Sequence, residues 1–348
     1  MNAADQQKYW EVDFSHLNDA DLQRWKLFLS DPQQGTRFHN PWTIEPQIKT
    51  SRLLQWQLSK NPHRPFKKTS PKPEPLHFDF SPQSKQQTRI AWLGHASILI
   101  DMAGLRFVID PVQGDIVNGL VKRQGRPVAG DWGHVDAVLL THGHFDHFDH
   151  ATLKALGQVE QPPLFITPLG LSRYLPKVCR RRLELNWWQG FTLGAVDIVL
   201  VPAQHWHRRG IGDINRALWG GYVVRGGHSV YHSGDTGFFE GFAAVAGVLG
   251  NIDVACLPAG AYEPRWFMGP QHMAPEDSAK AAALLGARQI LAMHWGTFDL
   301  SDECISAGPE LLRNAMHYCP DSQLQVLHPG GYLGIAHTQF RIVGSWHG

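Results

Sequence analysis

Three histidines and one aspartate lie within six residues in Thr141-His142-Gly143-His144-Phe145-Asp146-His147. An apolar run over 135–140 precedes them, which predicts that the cluster lies on the loop leaving a buried strand, where α/β proteins place ligand sites. Imidazole nitrogens and a carboxylate suit Zn²⁺ and also accept Fe or Mn. One ion cannot take all four donors from so short a loop without strain. We therefore expect two ions side by side, one near His142 and His144 and the other near Asp146 and His147.

Such a pair of ions needs further ligands, and three other strand-like runs each end in a candidate. His205 follows the run 198–201, Asp235 follows 229–232, and His294 follows 290–293. Taken alone, each would more often be a hydrogen-bonded loop histidine or a turn aspartate. Three such residues at the ends of three further strands instead indicate one shared metal centre.

The chain after residue 89 alternates strand signals with helical patterns. Short strands at 90–93, 97–101 and 105–109, separated by turn glycines, predict a meander. Helices are expected at about 150–156, 238–249, 275–286 and 308–316, the third starting with Pro275 and two acids. This alternation predicts a layered α/β fold.

Residues 1–88 differ in texture and are expected to form an N-terminal extension to a hydrolase domain over 89–348. A short amphipathic helix is predicted within 17–29, with Asn18 or Asp19 as its N-cap. Residues 60–75 read KNPHRPFKKTSPKPEP, which should form neither a regular helix nor a central strand. We expect an exposed, extended segment that is either a linker or a basic patch facing anionic lipid headgroups.

Composition excludes several classes of protein. Of 348 residues, 43% are hydrophobic and 18% are charged, which predicts a folded globular chain. The net charge is 32 − 31 = +1, so no overall field is available to hold nucleic acid. The four cysteines form no CxxC pair, and no signal peptide or membrane-spanning run is present. We expect a cytoplasmic protein, with peripheral attachment to a membrane as the alternative.

The ligand order HxHxDH at 142–147, then His205, Asp235 and His294, resembles that of the metallo-β-lactamase superfamily, and the resemblance covers most of 89–335. It implies a four-layer αββα sandwich. Within the superfamily, the chain is similar to the N-acylphosphatidylethanolamine-hydrolysing phospholipase D group. That similarity rests on WLGHA at 92–96, DP at 110–111, PAQHW at 202–206, GDTG at 234–237, YEPRWFM at 262–268, QH at 271–272, HWGTF at 294–298 and FHNPW at 38–42.

The resemblance also implies the role of each ligand. His142, His144 and His205 would hold the first metal, and Asp146, His147 and His294 the second, with Asp235 bridging. The expected metals are two Zn²⁺, with Fe or Mn as alternatives. Asp146 and Asp235 are the carboxylates expected to take part in catalysis, and His272 and Gln271 would reach over the metals to a phosphate oxygen. For His272, the alternative is a structural loop histidine.

The implied reaction is attack of a metal-bound hydroxide on a phospholipid, which releases phosphatidate and an N-acylethanolamine. No GxSxG or GxxxxGK[ST] motif supports a serine or nucleotide mechanism. The alternative is hydrolysis of another small ester, lactone or phosphodiester. A diiron redox protein would need a flavin-binding partner domain that the sequence does not show, and a lipid-binding protein with a purely structural metal is disfavoured by an open two-metal site without thiolates.

Two positions depart from the group's pattern. Phe145 stands where animal members carry a tyrosine, and Ala274 replaces an acid before Pro275, which removes an N-cap side chain. Among neighbouring residues, Asp110 is expected to support a ligand histidine and His95 to be buried beside the site. Six tryptophan positions exceed what one core should need, so some should line an acyl channel: 187, 188, 206, 219, 266 and 295.

Overall fold

The computed structural model describes residues 9–43, 50–81, 83–117, 119–336 and 339–347. In chain order its strands are β1 (Tyr9–Glu11), β2 (Gln33–Gln34), β3 (Arg37–Phe38), β4 (Gln87–Gly94), β5 (Ser97–Met102), β6 (Leu105–Ile109), β7 (Ala137–Leu139), β8 (Leu164–Pro168), β9 (Arg182–Leu185), β10 (Gln189–Leu193), β11 (Val196–Val201), β12 (Gly221–Arg225), β13 (Ser229–His232), β14 (Val254–Pro258), β15 (Gln289–Met293), β16 (Gln323–Gln325), β17 (Leu327–Ala336) and β18 (Gln339–Ser345). Its helices are α1 (Asp19–Trp25), α2 (Thr50–Leu58), α3 (Arg64–Lys67), α4 (His150–Gly157), α5 (Gly241–Leu249), α6 (Arg265–Met268), α7 (Pro275–Leu284) and α8 (Ala307–Asn314), and two short 3₁₀ turns lie at Ser172–Tyr174 and Ala315–Tyr318.

Two mixed sheets of eight strands each form the body of the molecule. One has the order β18-β17-β4-β5-β6-β7-β8-β9, and the other the order β1-β10-β11-β12-β13-β14-β15-β16. The predicted meander is confirmed, since β4, β5 and β6 pair antiparallel in succession. Strands β6, β7 and β8 are parallel, as are β13, β14 and β15, so their carboxyl ends lie at a common edge of each sheet.

The two sheets pack face to face, and helices cover their outer faces. The core between the sheets includes Trp92, Ile98 and Tyr222, all fully buried. On the outside, α4 packs through Leu153 against the far face of β4 to β8, while α7 and α8 pack on the other sheet. The predicted αββα sandwich is therefore confirmed.

Helix boundaries follow the local signals. Helix α1 begins after Asn18, whose side-chain oxygen accepts a hydrogen bond from Asp21 N at 2.9 Å, as an N-cap should. Helix α5 begins at Gly241 rather than near 238, because Phe239 packs into the core against Trp42 instead of joining the helix.

The prediction of a wholly extended segment at 60–75 was wrong in part. Residues Arg64–Lys67 form one helical turn, with Pro65 in its first turn, where the missing N–H of proline is not needed. The segment is also attached to the domain, since Asn61 Nδ2 donates to the Asp302 carbonyl at 3.0 Å and the hydroxyls of Ser70 and Ser306 lie 2.7 Å apart.

The tryptophan prediction also needs correction. Trp187, Trp188, Trp219 and Trp295 all belong to one buried core, because the wide space between two eight-stranded sheets takes many large rings. Of the six predicted positions, only Trp206 lines the large cavity described below. Trp266 is 41% exposed.

Among the described helices, none is both long and apolar enough to cross a bilayer.

Candidate metal centre

Three imidazoles converge where β7 and β11 end, and we call them the first half-site. His142 Nε2 lies 3.0 Å from His144 Nδ1, which lies 3.1 Å from His205 Nε2. A tetrahedral zinc ion at 2.0–2.1 Å from each nitrogen would set them roughly 3.3 Å apart. The three nitrogens therefore need to move by only a few tenths of an ångström to hold an ion.

The second half-site, formed by Asp146, His147 and His294, lies directly beside the first. The Nε2 atoms of His147 and His294 are 3.2 Å apart, and Asp146 Oδ2 is 3.6 Å from each of them. These donors also lie close enough together to share one ion.

Asp235 stands between the half-sites with one oxygen toward each. Its Oδ1 is 2.9 Å from His294 Nε2 and 3.1 Å from His147 Nε2, while its Oδ2 is 3.8 Å from His142 Nε2 and 3.9 Å from His205 Nε2. The Oδ1 atom is buried and receives no well-aligned hydrogen bond from these close nitrogens. A buried carboxylate oxygen in this state calls for a cation between it and the imidazoles.

The loop after β7 brings four of the predicted ligands together because it turns tightly. His147 N and Phe148 N both donate to the His144 carbonyl, at 3.2 and 2.9 Å. Gly143 is required here, since a Cβ at this position would lie 2.2 Å from the ring of His207. All seven predicted ligands thus lie in one cluster, and their assignment as ligands stays a prediction.

Burial and charge act oppositely in the two half-sites. Burial, with nearby imidazoles, holds the pKa of His142 and His205 well below its usual value and lowers that of His144 to about 3. Although burial opposes it, the Asp235 carboxylate raises the pKa of His294 to about 9 and that of His147 well above its ordinary value. Neutral imidazole is the form that binds metals, so the first half-site is ready to bind, whereas protons occupy the second until a metal replaces them.

Neighbouring polar groups orient the ligand side chains. Asp110 Oδ2 lies 2.7 Å from His147 Nδ1, the expected contact between this carboxylate and a ligand histidine, and Asp110 Oδ1 accepts from Thr141 N at 2.8 Å. His95 is buried, as expected, with its Nε2 2.9 Å from Asp146 Oδ2. It is close enough to the second half-site to be a further metal donor.

The loop after α6 carries Gln271 and His272 to the rim of the centre. His272 Nδ1 is 3.8 Å from Asp235 Oδ2, and burial lowers the pKa of His272 to about 4. The Gln271 carbonyl accepts a hydrogen bond from His205 Nδ1 at 3.1 Å. Arg265 ties this loop to α7, donating to the His272 carbonyl and to Asp277, which in turn accepts from Ala274 N at 2.9 Å. Helix α7 therefore keeps this contact even though Ala274 has no capping side chain.

A cavity of about 1050 Å³ opens onto the centre. His144, Asp146, Asp235 and His272 form its polar end, and its walls are largely apolar, with Leu53 and Trp56 on α2, Ile116, Phe267 and Leu300. Phe145 also lines it, with the Arg209 guanidinium 4.7 Å above the ring. Sequence reasoning missed Trp56 and Asn40, which borders the same cavity, although Asn40 lies in the FHNPW stretch that carried the resemblance.

A two-sheet αββα sandwich with a His/Asp cluster at its strand ends defines a metal-dependent hydrolase of the metallo-β-lactamase fold. Residues 105–295 match the family model of the beta-lactamase superfamily domain. An N-acyl-phosphatidylethanolamine-hydrolyzing phospholipase D 1 from Caenorhabditis elegans is 31% identical over 301 residues, which are 78% of this chain and 84% of the worm protein. The chain therefore belongs to the metallo-β-lactamase superfamily and, within it, to the group similar to this phospholipase, as its sequence motifs predict.

Other relatives extend the family beyond phospholipases. A UPF0173 metal-dependent hydrolase from Nitratidesulfovibrio vulgaris is 32% identical over 271 residues, 73% of this chain and 98% of that protein. Among solved structures, the metallo hydrolase Igni18 from Ignicoccus hospitalis superposes with a TM-score of 0.56 at 21% identity, covering 72% of this chain and 98% of Igni18. The second likeness supports the fold alone.

Proposed function

We propose that this chain is a phosphodiesterase of phospholipase D type that uses two zinc ions, with Fe or Mn as alternatives. Its substrate would be an N-acylphosphatidylethanolamine-like phospholipid. Water would replace the head-group oxygen on phosphorus, so that the products are phosphatidate and an N-acylethanolamine. The identity to the worm phospholipase D supports this choice of substrate.

The observation that carries the proposal is the joining of a polar metal centre to an apolar cavity of about 1050 Å³. A phospholipid has the same division, with a charged phosphate beside long hydrocarbon chains. Trp56, Ile116 and Phe267 would bury acyl carbons, each CH₂ contributing about 0.8 kcal/mol. A small soluble ester would leave most of this wall unused.

The chain's own residues would divide the work between holding ions and orienting the phosphate. When bound, two metals supply an activated water and neutralise charge on the phosphate oxygens. Asp235 is placed to fix the spacing of the two half-sites, and Asp146 to hold the second ion at the cavity side. His272 is neutral at pH 7 because burial lowers its pKa to about 4, which favours an orienting hydrogen bond over donation from a cationic imidazole. Gln271 is the second predicted orienting group.

A phospholipid panel read by mass spectrometry tests the proposal. We expect phosphatidate and N-acylethanolamine in equal amounts from N-acylphosphatidylethanolamine, and no product after the metal is removed by a chelator. Water enriched in ¹⁸O should label phosphatidate and not the alcohol. Turnover confined to small esters, lactones or soluble phosphodiesters would instead favour the alternative suggested by the likeness to the UPF0173 hydrolase.

The same substrate implies a place where the protein meets a bilayer. We propose that the surface formed by Leu58, Lys60, Arg64, Phe66 and Lys68 docks on anionic lipid. Leu58 is 86% and Phe66 63% exposed, and the three basic side chains are exposed beside them. Two other basic residues of the predicted patch are engaged within the protein, since Lys67 pairs with Asp299 and Lys72 donates to Gln124. Each exposed basic residue near such a surface contributes about 1 kcal/mol.

Liposome co-sedimentation checks this surface. Binding should increase with anionic lipid, decrease with salt, and weaken strongly in a Lys60→Ala/Arg64→Ala/Lys68→Ala variant. The matched control removes three other exposed basic residues, Lys154, Lys177 and Arg180, and should bind like the unmodified chain. Equal loss in both variants would contradict docking through this surface.

A further inference from the structure

A buried asparagine from the N-terminal part of the chain contacts the main chain of a predicted metal ligand. Asn40 is 5% exposed. Its Nδ2 donates to the His205 carbonyl at 3.0 Å, and its Oδ1 accepts from Trp219 Nε1 at 3.2 Å. Because both ends of the amide are used, its orientation is fixed, and 165 residues separate it from His205 in the chain.

The side chain of His205 is fixed from the opposite direction. Its Nδ1 donates to the Gln271 carbonyl at 3.1 Å, which leaves Nε2 facing His144 in the first half-site. His205 lies four residues beyond the end of β11 and receives no support from the sheet ladder. A buried carbonyl in such a loop needs a donor, and Asn40 supplies it.

Further hydrogen bonds join the same N-terminal segment, residues 37–42, to the chain around His205. Phe38 N donates to the Asn215 carbonyl at 2.8 Å, and Trp42 Nε1 donates to Gln204 Oε1 at 2.9 Å. Gln204 Nε2 then donates to the Pro270 carbonyl at 2.9 Å, next to the loop that carries Gln271. The 37–42 segment thus contacts the chain on both sides of His205.

We propose that Asn40 is a positioning residue for the first half-site, setting where the His205 imidazole lies and leaving the second half-site untouched. The inference rests on the predicted role of His205 as a metal ligand and not on the identity of the substrate. No hydrogen bond of the described residues joins Asn40 to Asp146, His147 or His294. Its loss should therefore act on one ion selectively.

Asn40→Asp is the sharpest test, because it keeps the shape and the acceptor for Trp219 while it removes the donor to His205. Partners of ligand residues typically change metal affinity by about 10–100-fold, so we expect the first half-site to bind at least about tenfold more weakly. The readout is the Co²⁺ dissociation constant from absorption titration in a His294→Ala background, where the first half-site is isolated. In a His205→Ala background, the same change should have no effect on the remaining ion.

Two controls separate positioning from a general loss of stability. Val248→Ala truncates the core on α5 away from the centre and should lower thermal stability without changing either Co²⁺ affinity. Asn40→Ala should weaken the first half-site as Asn40→Asp does. Equal weakening of both half-sites, unchanged affinity of the first half-site, or failure of the His294→Ala protein to bind Co²⁺ would each overturn the proposal. A failed phospholipid panel with selective loss of the first ion would leave it standing.

Discussion

The two half-sites take ligands from the same loop after β7, yet they differ in charge. The first consists of three imidazoles whose pKa burial lowers, so it is neutral at pH 7 before a metal binds. In the second, the carboxylates of Asp146 and Asp235 raise the pKa of His147 and His294. The comparison teaches that the first half-site depends on the placement of neutral donors, whereas the second is already balanced by positive charge and exchanges protons for a metal.

Asp235→Asn should have the largest effect, because the two half-sites share this carboxylate. The amide leaves buried cationic imidazoles without their partner, which costs about 3–5 kcal/mol, so metal affinity and hydrolysis should fall roughly a thousandfold. Elemental analysis should fall from two ions per chain, and the rate on bis(p-nitrophenyl) phosphate should fall with it. Circular dichroism should remain unchanged. If the Asp235→Asn protein retains two ions and the original rate, Asp235 does not join the half-sites.

The pH dependence of metal binding should distinguish the half-sites next. Since the pKa of His294 is raised to about 9, this group is protonated at pH 7 in the metal-free protein and must release its proton to bind. Affinity of the second half-site should therefore rise about tenfold per pH unit for each proton released between pH 6 and 8. The first half-site, with the pKa of His144 lowered to about 3, should show little change. Titrations in the His205→Ala and His294→Ala proteins measure each slope, and equal slopes would contradict the difference in charge.

Asp110→Asn should weaken only the second half-site, by about 10–100-fold in affinity. The amide can still accept from Thr141 N, but it no longer offers a carboxylate to His147 Nδ1. Asp136→Asn is the matched control, because Asp136 accepts a similar main-chain hydrogen bond from Arg106 N at 2.8 Å away from the cluster. If the control weakens metal binding as much as Asp110→Asn does, the effect belongs to the sheet and not to His147.

Phe145→Tyr should have the smallest effect, since Phe145 lies between the half-sites in sequence but faces the cavity. The added hydroxyl can gain about one hydrogen bond, worth about 1 kcal/mol, so kcat/KM should change by about fivefold or less. Metal content should stay at the original value. A change in either half-site's metal affinity would mean that Phe145 supports the ligands as well as the cavity.

Sequence reasoning succeeded where chemistry follows a strand end. His205, Asp235 and His294 each follow a short apolar run, and parallel pairing brings such ends to one edge. The meander and the helix at Pro275 were predictable for the same reason, because they depend on local patterns of apolar and turn residues.

The remainder depends on long-range packing that no local pattern records. Asn40 contacts a carbonyl 165 residues away, and the main chain of a partner carries no residue signature. The helical turn at Arg64–Lys67 is held by contacts to residues 299–306, which override the bias of its prolines. The tryptophans were misassigned because their number could not reveal the width of the core between two sheets.

The early position of residues 37–42 in the chain has a consequence for the order of folding. This segment leaves the ribosome long before its partners at 204–215 exist, and β1 pairs with β10, which also comes later. Contacts of such high sequence separation form late, because closing long loops costs entropy before any contact compensates it. We therefore expect a nascent chain that ends before residue 205 to expose the aromatic side chains of its first forty residues, and the first half-site to mature only when synthesis is well past the middle of the protein.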